Sequence, residues 1–347
     1  MIFLGVMLEF LAFYLYRETM KMLLTIDDHS LTIQRSFSSR SILLADIEGY
    51  RRGDKNRLYL VLKSGGQDFL VPDPLQKNEE LLEWIKEKYT DLDARRFEEE
   101  TKSILENDQY GGTPEERETR LKGARQVARV GIGVSFVLFL LMIFLPKPTD
   151  EDLMIVLFVI PLAGIYGLWY FKGLLRLSVK KGSAYPSAFF PLCLPVFAGW
   201  ISVLTAYRLY PIPASAWQTI VIMAVILAAV CILAGKEALA AEKNRVLGYV
   251  FILLLAGIYS YNLLIFSNCN YDKSAAEKYR VQVTDKTVSR GKSTTYFLHL
   301  SPWGTYTNGE KESVPSSFYY GVGMNDSVSV YLKPGKWNIP WYRVVKQ

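Results

Sequence analysis

The chain has 347 residues, a mass of 39.6 kDa and a formal net charge of +6, and half of its residues are hydrophobic. Residues 131–266 carry only 14 charged side chains, against 60 in the other 211 residues. This distribution excludes a simple soluble enzyme, an acidic disordered chain and a free nucleic-acid binder. It predicts a membrane domain between two water-exposed parts.

In chain order, the expected parts are a short membrane anchor at 1–17, a domain at 18–90, a charged helical linker at 91–129, a five-helix membrane domain at 130–266 and a β-domain at 267–347. The first apolar run, residues 2–16, includes Glu9. At 1.5 Å per residue it reaches about 22 Å, short of the ~30 Å of hydrocarbon in a bilayer. It lacks the basic start and small-residue cleavage site of a secretory signal. It therefore reads as a short anchor, with an interfacial helix as the alternative.

Residues 22–26, 30–35, 41–44, 47–51, 57–63 and 68–71 are short, apolar or alternating, and separated by turn residues such as Gly53-Asp54-Lys55-Asn56 and Ser64-Gly65-Gly66. That spacing predicts a compact antiparallel barrel or sandwich. Residues 78–89 then place Leu81, Leu82, Trp84, Ile85 and Tyr89 on one helical stripe. These strands and this helix, carried by Leu23-Thr25-Ile26, Leu31-Thr32-Ile33, residues 42–47, residues 58–62 and Leu81-Trp84-Ile85, resemble the bacterial pleckstrin-homology-like (PH-like) domain over roughly 70 residues. The resemblance implies a β-barrel of six or seven strands plus a helix, attached to membrane helices, and binding of lipid, peptide or protein without choosing among them. It also implies a bacterial source.

Arg51, Arg52, Lys55 and Arg57 surround one predicted hairpin. They form a candidate lipid-headgroup site, since a cation near an anionic membrane surface contributes about 1 kcal/mol. A solvated hairpin is the alternative reading. Further on, residues 94–107 and 114–128 read as helices split by Gly111-Gly112. Thr113-Pro114-Glu115-Glu116 has the spacing of a capped helix start. The second helix is expected to run into the first membrane span or to dock just below it, as a linker or a coupling element.

Five runs, 130–145, 153–171, 187–207, 217–235 and 246–266, contain no Asp, Glu, Lys, Arg or His. With 16 to 21 residues each, they are spans rather than amphipathic core helices. The loop 172–186 holds Lys172, Arg176, Lys180 and Lys181, and 236–245 holds Lys236, Lys243 and Arg245. The loop 208–216 has only Arg208. By the positive-inside rule the cationic loops and residues 18–129 are cytoplasmic, and 267–347 is extracytoplasmic. The expected location is thus a bacterial cytoplasmic (inner) membrane, crossed five or six times. Pro161, Pro191 and Pro195 are expected to kink their helices, as in many membrane helices.

Residues 279–284, 294–300, 317–321 and 328–332 are strand candidates in the last part, and 337–345 is an edge strand interrupted by Pro340. Val328-Ser329-Val330-Tyr331 and the segment from Gly335 to Tyr342 resemble a β-domain found outside the membrane in bacterial membrane proteins of uncharacterised function. That resemblance implies no activity. Trp303, Tyr306, Trp337 and Trp341 form a candidate outer aromatic surface for sugar or peptide, with core packing as the alternative for a domain so small.

No catalytic constellation is apparent. His29 and His299 are the only histidines and are expected on opposite sides of the membrane. Three cysteines make no CxxC, no metal spacing and no disulfide framework. P-loop, GxGxxG, HExxH and GxSxG motifs are all missing. No catalytic residue, metal or cofactor is therefore expected. Spans without ionisable residues argue against proton-coupled transport. The expected function is a non-enzymatic scaffold, sensor or assembly factor with a membrane-protein partner or self-association, and no nucleic-acid partner. The alternative is lipid binding or lipid transport.

Overall fold

The computed structural model describes residues 9, 12–14, 16, 23–35, 38–53, 57–72, 78–144, 151–242, 244–291, 294–306 and 309–346. Most of the 2–16 run and Lys55 lie outside the described residues. The chain divides into two compact units: Met1–Glu118 with Val179–Tyr185, and Thr119–Ser178 with Pro186–Gln347.

In the first unit, β1 (Leu23–Ile26), β2 (Ser30–Gln34) and β3 (Ser39–Leu43) form an antiparallel meander. Alternation turns Leu31, Ile33 and Ile42 inward, as a half-buried strand requires. A 3₁₀ turn at Leu44–Asp46 then interrupts the ladder. Consequently β4 (Ile47–Arg52), β5 (Leu58–Leu62), β6 (Phe69–Leu70) and β7 (Thr90–Asp91) make a second sheet, in the order β6-β5-β4-β7. The two sheets share one apolar core, closed by Leu81 and Ile85 of α1 (Asn78–Lys88). Two sheets thus stand around one core where the sequence left a barrel or a sandwich open. β7 pairs parallel with β4 beside Gly49. A Cβ at Gly49 would lie 2.6 Å from the Thr90 carbonyl oxygen, so this approach requires glycine.

The Asp91 carboxylate caps α2 (Leu92–Glu106), accepting from the backbone N–H of Asp93 and of Ala94. Buried Arg117 donates to the carbonyls of Leu105 and Gly111 and pairs with Asp108, so its charge is fully met. The expected capping box forms in part, with the return bond shifted one residue to Gly112. Thr113 Oγ1 accepts from Glu116 N at 3.3 Å, and Glu116 returns to Gly112 N at 2.8 Å. From there α3 runs unbroken over Pro114–Phe144, so the linker helix and the first apolar span are one element. Residues 179–185 are held by Glu100, which accepts from Ser183 Oγ at 2.7 Å and Ala184 N at 2.8 Å, and by Lys181, which donates to the Gly53 carbonyl at 2.6 Å.

Among the described residues, five helices are long and apolar enough to cross a membrane: α3, α4 (Glu151–Phe171), α5 (Phe189–Ala206), α6 (Ala214–Ala234) and, after the short α7 (Lys236–Ala240), α8 (Arg245–Asn270). Their outward faces carry exposed Val221, Ile222, Leu233 and Leu254, the pattern of a lipid-facing surface. Two polar side chains tie helices inside the bundle. Asn262 donates to the Val196 carbonyl at 2.9 Å, and Tyr259 donates to that of Phe158 at 3.0 Å.

The C-terminal part is a six-stranded half-barrel ordered β11-β10-β9-β12-β13-β8, where β8 is Arg208–Leu209, β9 Glu277–Arg290, β10 Thr294–Leu300, β11 Glu310–Val314, β12 Ser327–Lys333 and β13 Trp341–Lys346. Residues 317–321, predicted as a strand, are instead a helical turn, α9 (Ser316–Tyr320). Lys286 Nζ caps its end by donating to the Tyr319 and Val322 carbonyls, both at 2.6 Å. β8 and β11 are strands the sequence reading did not contain. One is two residues long, and the other is rich in charge.

Two residues at the end of α8 fasten the sheet to the bundle. Asn268 donates to the Ile339 carbonyl at 2.8 Å and accepts from Trp337 N at 2.9 Å. Asp272 accepts from Trp341 Nε1 at 2.8 Å and Gly335 N at 3.1 Å. Gly335 has a φ of 78°, and a Cβ there would lie 2.5 Å from the Asn268 amide. Ile339 and Trp341 enter the helix core as a result. Burial raises the Asp272 carboxyl, but hydrogen bonds from Ser274 and Trp341 and the charge of Lys333 outweigh it, so it stays below the usual carboxylate range.

Replacing Asn268 by Ala should lower the thermal unfolding temperature in detergent by several degrees, since each buried backbone group left unsatisfied costs roughly 1–3 kcal/mol. The Asp272 contribution has the opposite pH sense from a raised group. It is complete above the ordinary carboxylate pKa and lost as pH falls through the depressed one. The penalty of Asp272→Asn, read from unfolding temperatures across pH, should therefore shrink in acid.

Candidate functional site: a half-polar cavity at the sheet edges

Pairing of β8 with β13 sets Arg208 at one edge of the half-barrel, and β11 forms the other edge. Side chains close the gap. The Arg208 guanidinium donates to the Ser313 carbonyl at 2.6 Å and lies 3.5 Å from the Glu312 carboxylate. The Tyr342 hydroxyl donates to the same carboxylate. Glu312 is only 4% exposed, a burial a carboxylate tolerates only with such partners.

The register of β10 on β11 fixes the rest. Leu298 opposes Glu312 and Leu300 opposes Glu310, so both carboxylates share the face of two buried leucines. Lys311 falls on the other face, with its ammonium 4.4 Å above the Phe297 ring. Around this edge is a cavity of about 290 Å³. Val203, Leu204, Tyr207 and Tyr261 of the helical part form its apolar side, Arg208, Glu310, Glu312 and Tyr342 its polar side, and Lys311 and Phe297 also border it.

Burial, reinforced by the Glu312 hydrogen bond and charge, pushes the Tyr342 phenol far above the usual tyrosine range. It therefore stays a neutral donor at physiological pH. Burial and the nearby Glu312 charge raise the Glu310 carboxyl. Tyr306 is raised by burial and then by the charge of Glu310. The site can hold charge and polar groups next to an apolar wall. Among the described residues, no group of His, Cys, Asp and Glu has the arrangement of a metal site. His299 Nε2 lies 3.1 Å from Thr287 Oγ1.

The residues singled out from sequence fall in several places. Trp303 and Tyr306 pack in tilted and edge-to-face contacts with Tyr342 and Tyr210 inside the half-barrel, with ring centroids 4.9–6.2 Å apart. The Trp303 indole N–H has no partner among the described residues. Trp341 is buried in the helix core, and Trp337 is 52% exposed with Nε1 donating to Ser267 Oγ. The four rings do not share one surface. In the hairpin, Arg51 is ion-paired with Asp68, Arg52 donates its backbone N–H to Asp93 at 2.9 Å, and Arg57 is exposed. Lys55 lies outside the described residues.

Sequence reasoning missed Arg208, Glu310 and Glu312 as a group. One signal was present: Arg208 is the lone cation of an otherwise uncharged loop, directly after a span. No protein-family model, curated protein or solved structure matches the chain.

A carboxyl raised in the folded state contributes most when protonated, and its cost appears as pH rises through the ordinary carboxylate pKa toward the raised one. Glu310→Gln should thus raise the unfolding temperature at neutral pH, with the gain vanishing in acid. Arg208→Met should lower it, because Glu312 is left buried without its counter-ion. Adding Glu312→Gln to Arg208→Met should recover part of that loss, and thermal scans of the three proteins check this.

Proposed function

We propose that the chain is a non-enzymatic multi-pass membrane protein that binds an amphiphile at the half-polar cavity, the C-terminal half-barrel lying on the extracytoplasmic side. The observation that carries the reading is the cavity itself. One wall belongs to membrane-helix residues such as Leu204 and Tyr261, and the other is the charged edge made by Arg208, Glu310 and Glu312. A molecule with a polar head and an apolar tail satisfies both walls, whereas a wholly polar solute leaves the first one wet. The cation-rich loops 172–186 and 236–245 support the sidedness. The PH-like resemblance of the N-terminal strands and helix is compatible with a binding protein and adds no chemistry of its own.

The test is purification in a mild maltoside detergent followed by extraction and mass spectrometry. The expected result is one amphiphile species near one per chain, depleted in Leu204→Trp, whose ring fills the apolar side from an exposed position. Equal content in the variant, or none in either protein, overturns the reading.

A second reading, sensing or assembly, is favoured by one observation, the retention of residues 179–185 by Glu100 and by the Lys181 bond to Gly53. Glu100→Ala should then loosen the backbone that carries the exposed Lys180 and Lys181. Limited trypsin digestion should cut there several-fold faster than in the parent protein, since cleavage follows the open population. An unchanged cleavage rate removes the support.

A further inference from the structure

The charged groups around the cavity are not equally engaged. Arg208 is committed to Glu312 and to the Ser313 carbonyl. Glu312 is committed to Arg208 and Tyr342. Lys311 lies over Phe297, on the face of β11 opposite the two carboxylates. Glu310 remains. Its carboxylate has no ion pair among the described residues, it is half-buried, and it shares a face with a second, fully buried carboxylate.

We propose that the cavity receives the protonated amine of an amphiphile, with the Glu310 carboxylate as its counter-ion and the α5 and α8 side chains holding the first part of its tail. The proposal rests on the amphiphile reading above and narrows it to one head-group chemistry. An anionic head would meet two carboxylates on the inward face, and Lys311, which also borders the cavity, already lies over the Phe297 ring on the other face of the strand. A hydroxyl head would leave Glu310 half-desolvated without a counter-charge. An ammonium supplies that charge, and the Tyr342 ring at the cavity wall offers it an aromatic face. Volume limits the rest. About 290 Å³ is at the bottom of the range for ligand pockets, about 300–1,000 Å³. The cavity therefore holds a head group and a few methylenes, and the remaining chain lies along Leu204 and Tyr261.

The amine can come from a phospholipid head group or from a free long-chain amine, and the experiment separates them. Full-length protein in maltoside detergent is titrated with dodecylamine and with dodecanol at pH 7, with binding followed by calorimetry. In parallel, the protein is placed in phosphatidylglycerol nanodiscs with and without phosphatidylethanolamine, and bound lipid is counted by native mass spectrometry. Dodecylamine is expected to bind at least about tenfold more tightly than dodecanol. Glu310→Gln should abolish that preference while keeping dodecanol binding, and Leu204→Trp should weaken both. Enrichment of phosphatidylethanolamine on the parent protein but not on Glu310→Gln assigns the amine to a lipid. Dodecylamine preference without such enrichment assigns it to a free amine, and both outcomes support the proposal. Equal affinity for the two probes with no effect of Glu310→Gln overturns the amine inference and leaves the amphiphile reading standing. Binding of neither probe overturns both. A preference that survives Leu204→Trp at full strength places the amine elsewhere and overturns the site.

Discussion

A carboxylate that is 4% exposed dictates the form of the C-terminal half-barrel. Glu312 cannot stay on the inward face of a sheet beside Leu298 unless its charge is met, because desolvating an isolated ion costs several kcal/mol. Its partners come from distant chain positions: Arg208 from the loop after α5, and Tyr342 from the last strand. Meeting the charge therefore requires β8 to sit on β13 and the sheet to roll until its two edges face each other. Side chains, rather than a backbone ladder, hold those edges together. The space they leave is the cavity.

The same closure explains why the half-barrel and the helices belong to one unit. Arg208 immediately follows α5, and Asn268 and Asp272 straddle the end of α8. Each spends its hydrogen-bonding capacity on the sheet. Apolar burial of Ile339 and Trp341 in the helix core accompanies these bonds. The cavity wall thus combines a helix-borne apolar part with a charged part that neither element supplies alone, and this combination is what supports the proposed amphiphile.

The N-terminal unit is organised differently. Its core is ordinary alternation in two sheets closed by α1, and its polar bonds combine local caps with longer-range ties such as Arg52 N–H to Asp93 and the Tyr89 hydroxyl to the Leu44 carbonyl. Of the basic hairpin, the ion pair of Arg51 with Asp68 and the engagement of the Gly53 carbonyl by Lys181 leave fewer uncommitted groups than the run of cations suggested. A charge run in a sequence reports composition only. Whether each charge is free depends on neighbours such as Asp68, 17 residues away.

By itself the sequence determined the elements whose signals are local. The apolar runs set the five helices to within a few residues at most ends, since a span is fixed by length and lack of charge. Alternation set most strands of the three sheets. Thr113 to Glu116 set a helix start, because capping depends on residues three apart. What local pattern could not hold was decided by tertiary structure. The charges of β11 read as loop, yet Glu312 is buried because Arg208 lies beside it, 104 positions earlier in the chain. Residues 317–321 have strand-like aromatics but form a helical turn capped by Lys286. Trp303 and Trp341 were legible as large rings, but only packing against Tyr342 and α8 decided that they face inward. Local preference is encoded within a few residues, whereas charge neutralisation and edge closure are properties of groups that meet only after the chain has folded.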